Sequence, residues 1–147
     1  MTGTHVDITE RKKAEEQLKK SEAHLKKAEE IGKIGSWEFD LKTKETIWSE
    51  EVFKLFERDI ALGNPAVEEI ESHYSQEDIK KIHEKIDLAI KTGLVYEYDF
   101  TVNLPGEKKR IMRSNVSSLN DPQGRVLKVY GIVQDITEHK QLEVSRQ

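Results

Sequence analysis

The spacing of the apolar residues changes at Gly32, and this change divides the chain into two parts. From Glu10 to Ile31 there is no Gly or Pro, and Lys, Glu, Ala, Gln and Leu dominate, which is typical of one long helix. From Ile34 onward, apolar and polar residues alternate, which is typical of a half-buried strand. The sequence therefore predicts a long helix followed by a domain that contains both strands and helices.

Composition limits the classes of protein to which the chain can belong. With 147 residues, it suits one domain with a modest core and one appended helix. It contains no cysteine, which excludes disulfides, thiolate nucleophiles, cysteine-ligated metals and a flavin photoreceptor that works through a cysteinyl adduct. The formal net charge of -4 argues against a nucleic-acid partner. Because no secretory segment or membrane-length apolar run is present, we expect a soluble, cytoplasmic segment without membrane contact.

The N-terminal helix carries few apolar residues, and their spacing is that of a coiled coil. Thr9 is a candidate cap at its start, and Leu18 and Leu25 share one heptad position while Ala28 belongs to the other core position. An isolated helix with so few apolar contacts is marginal in water. The helix is therefore predicted to dimerise in parallel with a second copy, and the alternative is a charged helix that is simply solvated.

Residues 34 to 56 predict two paired strands followed by a buried helical turn. The stretch IGSWEFDLKT reads as the first strand and ETIWS as the second. Ser49 is a candidate cap, and Glu50 and Glu51 suit the positive end of a helix dipole. The apolar side chains expected to face the core are Trp37, Phe39, Leu41, Val52, Phe53 and Phe56.

The clearest helix of the domain is SQEDIKKIHEKIDLAIKTG. Ser75 and Asp78 have the spacing of a capping box, and Gly93 is placed to end the helix. Its predicted core stripe consists of Ile79, Ile82, Ile86 and Ala89 or Ile90.

Three strands are predicted to close the chain as an antiparallel meander. They are VYEYDFTV, KRIMRSNVSSL and RVLKVYGIVQDI, separated by turns at Pro105-Gly106 and Asp121-Pro122. The last strand is apolar on both sides, which predicts cover on both faces of the sheet. The domain's short helices can supply one cover, and the N-terminal helix or another subunit is expected to supply the other.

The order of elements and two motifs together resemble the PAS family of sensory domains. IGSWEFD at Ile34 to Asp40 is similar to the opening strand of many such domains, and GIVQDITEHK at 131–140 is similar to their closing signature. Tyr74 departs from the family pattern where Pro usually follows His, and Met112 stands where Trp is frequent. The resemblance implies an α+β PAS fold with a five-stranded antiparallel sheet, short helices on one face and a long N-terminal helix.

The closing signature Gly-x-x-x-Asp-Ile-Thr-Glu occurs twice, at 3–10 and at 131–138. The resemblance implies that residues 1–9 are the remnant of a preceding PAS domain and 10–32 a connecting helix. Residues 33–137 are then the PAS domain, and 138–147 begin an outgoing helix. The parent would be a multi-PAS sensor, most often a histidine kinase and sometimes a cyclic-dinucleotide enzyme or a chemotaxis-type receptor. No catalytic signature of these proteins is present in the sequence, so we do not expect this segment to be an enzyme.

Two functions remain open at this point. The first is a sensory module in which a pocket or dimer state biases a coiled-coil output. The second is a ligand-free module for dimerisation and spacing that relays signals from an upstream PAS domain. In either case we expect a homodimer, through the N-terminal helix and the outer face of the sheet, with neighbouring PAS or kinase domains as partners in the parent chain.

The residues that could line a ligand pocket are mostly aromatic, and the alternative for them is a packed, dry core. PAS pockets can hold haem through a histidine, and His83 borders the inner stripe of the long helix. A histidine that packs beside the stripe is the favoured reading, so we expect no haem and no metal site. The identity of any small-molecule ligand stays open. The candidate set is Trp37, Phe39, Trp48, Phe53, Phe56, Ile82, His83, Ile86, Tyr98, Phe100 and Met112.

The end of the last strand is predicted to be the signal output. We expect Ile136 to be buried at the base of the sheet and the hydroxyl of Thr137 to cap the outgoing helix. Asp135 is expected to pair with Arg113 on the neighbouring strand, with Arg110 as the reserve partner. Such a joint would fix the angle at which the helix leaves the domain.

Overall fold

The structure is a computed structural model that describes residues 3–138, with side chains from Thr9 onward. The chain divides into two compact units after Gly32. The first is helix α1, Gly3–Gly32, in which Leu18, Leu25 and Ala28 are exposed. Because residues 4–8 contain neither Gly nor Pro, the helix begins at Gly3. Thr9 therefore lies inside it, and the prediction that Thr9 caps its start is wrong.

The second unit is built on a five-stranded antiparallel sheet, which confirms the predicted α+β fold. The element bounds are β1 Ile34–Asp40, β2 Thr46–Trp48, α2 Glu50–Leu55, α3 Val67–Glu71, α4 Gln76–Thr92, β3 Tyr96–Leu104, β4 Lys108–Asn120 and β5 Val126–Asp135. The spatial order of the strands is β2-β1-β5-β4-β3. A single-turn 3-10 helix at Ile60–Leu62 follows α2, and another at Pro105–Glu107 joins β3 to β4.

The core lies between the inner face of the sheet and the helices α2 to α4. Alternate residues of β3, β4 and β5 are buried there, as the two-residue spacing predicts. On β5, Val129 and Val133 are buried, whereas Tyr130 and Ile132 are 44% and 48% exposed on the other side. The outer face of the sheet is therefore an exposed, partly apolar surface.

The helix ends show how neighbouring strands compete for capping side chains. Ser49 stands at the N-cap of α2, but its hydroxyl accepts a hydrogen bond from the Ser36 N–H of β1 at 3.0 Å and none from the helix, so the predicted cap is wrong. Ser75 does cap α4 by accepting from the Asp78 N–H at 3.1 Å. The Asp78 carboxylate accepts from the Thr101 N–H of β3 at 3.0 Å instead of completing a capping box. Gly93 ends α4 in the left-handed conformation with φ of 73°.

The pairing of β4 with β5 is interrupted in the middle of the sheet. The register runs from Met112 to Ser114 and resumes at Ser117. In the gap, the Ile132 N–H donates to Asn115 Oδ1 at 3.0 Å, and the Ser114 hydroxyl donates to the Ile132 carbonyl at 2.8 Å. Two side chains thus take the place of backbone hydrogen bonds at Ile132.

Candidate functional site

A largely apolar cavity of about 400 Å³ lies between the inner face of the sheet and the helices. Nine of the eleven predicted pocket residues line it. The other two, Phe53 and Met112, are 6% and 0% exposed and belong to the packed core, so their assignment to the pocket is wrong. The described lining residues are Trp37, Phe39, Leu41, Thr46, Trp48, Val52, Phe56, Val67, Ile70, Glu71, Tyr74, Ile82, His83, Ile86, Asp87, Tyr98, Phe100, Ser114 and Val133.

Aromatic rings in mutual contact form one wall of the cavity. The ring centroids of Trp48 and Phe56 are 4.6 Å apart, and those of Phe56 and Tyr74 are 6.3 Å apart. Tyr74 meets Phe100 edge-on at 5.1 Å, and Phe100 lies 5.8 Å from Tyr98. Rings at these separations and tilts stabilise one another. The contacts give the cavity a wall suited to an apolar or aromatic ligand.

A polar chain connects the cavity to the backbone of β5. The Trp37 indole N–H donates to the Ser114 hydroxyl at 3.0 Å, and that hydroxyl donates to the Ile132 carbonyl. Ser114 is 2% exposed, so both bonds lie inside the domain. The Trp37 side chain, which lines the cavity, is therefore connected to the backbone of β5 through two hydrogen bonds.

Two tyrosine hydroxyls contribute neutral polar groups to the lining. Burial raises the pKa of Tyr74 well above its usual value, and the negative groups Glu71 and Asp78 act in the same direction. Burial also raises the pKa of Tyr98, and the Ser114 hydroxyl acts in the opposite direction. Among the described residues, none forms a hydrogen bond with the Tyr74 hydroxyl.

The rim of the cavity carries charged side chains from α3 and α4. His83 Nε2 lies 2.7 Å from Glu71 Oε1, and the His83 side chain is 58% exposed. The neighbouring rim residue Asp87 is exposed as well. Within residues 9–138, no group of three or more His, Asp or Glu side chains is placed to hold a metal ion.

The predicted output residues form a compact joint at the end of β5. Ile136 is 4% exposed, as predicted, and its N–H donates to the Ile111 carbonyl at 2.8 Å. Thr137 Oγ1 accepts from the Ile111 N–H at 2.9 Å, and Asp135 Oδ1 accepts from both the N–H and the hydroxyl of Thr137. The Thr137 hydroxyl therefore joins the segment to β4, and the predicted outgoing helix, 138–147, lies outside the described residues apart from Glu138.

The predicted ion pair between Asp135 and Arg113 is wrong. Asp135 lies opposite Met112 in the register, so Arg113 points to the other face of the sheet. There, Arg113 forms two hydrogen bonds with Asp99, at 2.9 and 3.2 Å. The reserve partner Arg110 instead donates to the carbonyls of Lys54 and Leu55, at 3.1 and 2.7 Å, at the C-terminal end of α2.

Sequence reasoning missed several polar lining residues. Ser114 shares its strand side with Met112, so the alternation in β4 could have identified it. Tyr74 attracted notice only as a departure from the family pattern. Glu71 lies in a segment of short helices without a clear period, and no sequence signal points to it.

Comparison with known proteins identifies the class of the domain. A family model described as PAS fold matches residues 42–141, which is more than half of the chain. The chain therefore belongs to the PAS family and contains a PAS sensory domain. No curated protein matches the sequence.

Solved structures with the same fold come from signalling proteins of different organisms. A sensory box histidine kinase/response regulator from Burkholderia thailandensis E264 is 19% identical, with a TM-score of 0.67 over 83% of this chain and 94% of that one. A domain of the putative light and redox sensing histidine kinase of Haloarcula marismortui is 17% identical, with a TM-score of 0.64 over 78% and 99%. The N-terminal domain of a diguanylate cyclase with PAS/PAC sensor from Marinobacter aquaeolei is 16% identical, with a TM-score of 0.63 over 73% and 98%.

Proposed function

We propose that this PAS domain binds a small, largely apolar ligand in its cavity and relays the occupied state to the helix that follows β5. The observation that carries the proposal is the volume of about 400 Å³ among aromatic and aliphatic side chains. Small-molecule sites in proteins commonly fall between about 300 and 1,000 Å³ and combine apolar walls with a few polar groups. An interior with this much space favours ligand binding over the alternative of a ligand-free spacer module.

The route of the relay is the polar chain from Trp37 through Ser114 to the carbonyl of Ile132. A ligand that shifts the Trp37 ring changes the hydrogen bond that Ser114 receives. Because Ser114 also holds the Ile132 carbonyl, the change reaches β5 three residues before Asp135. The joint of Asp135, Ile136 and Thr137 then alters the direction in which the chain leaves the domain.

The larger setting of the proposal is a multi-domain signal transduction protein, with a sensor histidine kinase as the favoured parent. Two of the structural relatives are named as histidine kinases, whereas a third is named as a diguanylate cyclase. In this setting α1 and the outgoing helix are coiled-coil connectors, the protein is a cytoplasmic homodimer, and the segment itself is not an enzyme. Over residues 3–138, no helix combines the length and apolar composition needed to span a bilayer.

The test is a titration of the purified chain with indole, a neutral probe with an aromatic body, followed by two-dimensional amide NMR. We expect saturable shifts at lining residues, and native mass spectrometry should show one indole per chain. Ile86→Trp places a large ring in the cavity and should abolish the shifts. Leu88→Trp on the exposed side of the same helix is the matched control and should preserve them. Shifts without saturation, or an equal response in both variants, would support the ligand-free alternative.

A further inference from the structure

The charged groups that line the cavity are mostly acidic. Glu71 and Asp87 are both lining residues, and none of the described lining residues is lysine or arginine. His83 is the one lining group in the described chain that can carry a positive charge, and it already pairs with Glu71. Asp87 has no hydrogen-bond or ion-pair partner among the described residues. The negative charge of the Asp87 carboxylate at the rim is therefore not balanced by a positive group among the described lining residues.

The lysines of α4 lie outside the cavity lining. Lys81 pairs with Asp78 at 3.4 Å, and Lys85 lies over the Tyr96 ring, 5.9 Å from its centroid. Lys91 stands one helical turn after Asp87, but the described structure shows no ion pair between the two side chains. The charged groups of the lining itself are therefore mainly carboxylates.

The aromatic walls behind the rim also favour a positively charged ligand. The lining contains seven aromatic side chains, each with a face that attracts cations. The Tyr74 hydroxyl stands among them without a hydrogen-bond partner in the described part of the chain, and its oxygen can accept a hydrogen bond from a ligand N–H group. Burial is the main cause of the raised pKa of Tyr74, and the negative groups Glu71 and Asp78 add to it in the same direction.

On these grounds we infer that the ligand is an organic cation, an amine attached to a small aromatic body. The inference rests on the proposed ligand-binding function. The ring occupies the aromatic part of the cavity, and the ammonium group stays at the half-exposed rim near Glu71 and Asp87. This orientation avoids the cost of moving a charge into the apolar interior. Ligands that carry a carboxylate or phosphate at the same end are disfavoured, because no described lysine or arginine lines the cavity to receive them.

The experiment compares three probes with one ring system: tryptamine as the cation, indole as the neutral form and indole-3-acetate as the anion. Dissociation constants are measured by NMR titration at pH 7.5 and low salt. We expect tryptamine to bind at least about tenfold more tightly than indole-3-acetate, a difference that a single nearby charge can supply. Glu71→Gln and Asp87→Asn should each reduce this ratio. Glu84→Gln, on the exposed surface of α4, removes the same charge outside the lining and should leave the ratio unchanged.

The outcomes separate this inference from the proposed function. Equal binding of the three probes, or tighter binding of indole-3-acetate, overturns the cation preference while indole binding still supports a ligand site. A ratio that falls equally in Glu84→Gln overturns the assignment to the rim carboxylates, because a general charge effect would then explain it. Failure of all three probes to bind overturns both proposals. Circular dichroism of each variant establishes that a lost ratio does not reflect an unfolded domain.

Discussion

Asp40 shows how one exposed carboxylate can organise a turn. It ends β1, and its Oδ1 accepts hydrogen bonds from the N–H groups of Thr43 and Lys42, at 3.0 and 2.8 Å. These two bonds lower the pKa of Asp40 below its ordinary value of 3.8, because they favour the ionised form. The stability that the ionised group contributes is therefore fully present above pH 3.8 and is lost as the pH falls through the lower, folded-state pKa.

Asp40→Asn tests this pH dependence. We expect the variant to be less stable than the wild type at pH 6, and the difference to shrink as the pH falls below 3.8, where the wild-type carboxyl becomes protonated. Urea unfolding at a series of pH values measures the difference. Glu45→Gln, which removes an exposed carboxylate from the same loop, is the control. A difference that stays constant down to pH 2.5 would contradict the role of the charge.

For individual residues, the sequence predicts burial better than it predicts hydrogen-bond partners. Ile136 is buried as its apolar side chain predicts, although it lies one residue beyond the end of β5. Ser49 and Asp135 each make a different bond from the predicted one. A hydroxyl or carboxylate takes the nearest suitable partner, and that partner depends on how separate strands come together. The local sequence does not show which strands come together, so it cannot predict the partner.

Ser114 on β4 forms hydrogen bonds with Trp37 on β1 and with Ile132 on β5, so it links three strands of the sheet. Its replacement tests the polar chain. Ser114→Ala removes the group that receives the Trp37 N–H and holds the Ile132 carbonyl. Both partners then remain buried without a bond, so we expect a loss of about 1 to 3 kcal/mol in the free energy of unfolding. Urea unfolding measures the loss, and the indole N–H signal of Trp37 should shift in the NMR spectrum.

Ser117→Ala, at the position on the same strand where the pairing resumes, provides the comparison. Ser117 lies on the other side of β4 and lines no part of the cavity. We expect little change in stability and an unchanged Trp37 signal. A similar loss in both variants would show that Ser114 acts through strand propensity alone.

The joint between β5 and the following segment can be tested through ligand-induced NMR shifts. Asp135→Ala removes the acceptor for the Thr137 N–H and hydroxyl. We expect indole to shift the amide signals of Thr137 and Glu138 in the wild type, and we expect those shifts to disappear in the variant. The shifts at lining residues should persist, because the cavity is intact.

Gln134→Ala is the control for the joint, since it alters the adjacent position of β5 and leaves the Thr137 bonds in place. Retained shifts at Thr137 in Asp135→Ala would contradict the proposed relay. In the multi-domain parent that we propose, the same substitution is expected to uncouple output from stimulus.

Among the elements, the long helix α4 and the strands can be predicted from the spacing of apolar residues in the sequence. The stretch from residue 57 to 74 cannot, because its turns are held by tertiary bonds such as the Arg58 to Glu69 pair at 2.6 Å. Glu71 and Tyr74 lie in this stretch and in the cavity wall. The part of the site that we could not predict from the sequence therefore lies in a segment without regular spacing of apolar residues.

For the whole molecule, the exposed leucines of α1 predict self-association. Leu18 and Leu25 are 59% and 62% exposed on a helix with few other apolar side chains. Burying them against a second copy would stabilise both helices. Leu25→Glu is expected to weaken a dimer at least tenfold in sedimentation equilibrium while the far-ultraviolet circular dichroism of the sheet remains.

Leu62→Glu makes the same change at a residue of the PAS domain that is 66% exposed, and we expect the dimer to tolerate it. If the wild type is monomeric at several hundred micromolar, the dimer proposal fails. If both variants weaken the dimer equally, the association does not depend on α1.

The interruption between β4 and β5 also affects how the sheet can deform. It is confined to Asn115 and Val116, and backbone pairing holds the two strands together on either side of it. At this place, Gly131 is so close to the Asn115 carbonyl that a methyl group there would overlap it, so the two strands can approach this closely only with glycine at that position. Side-chain bonds replace the backbone ladder at Ile132, and side chains can rotate where a ladder cannot. The backbone of β5 at Ile132 can therefore shift beside the cavity while the pairs before and after it remain closed.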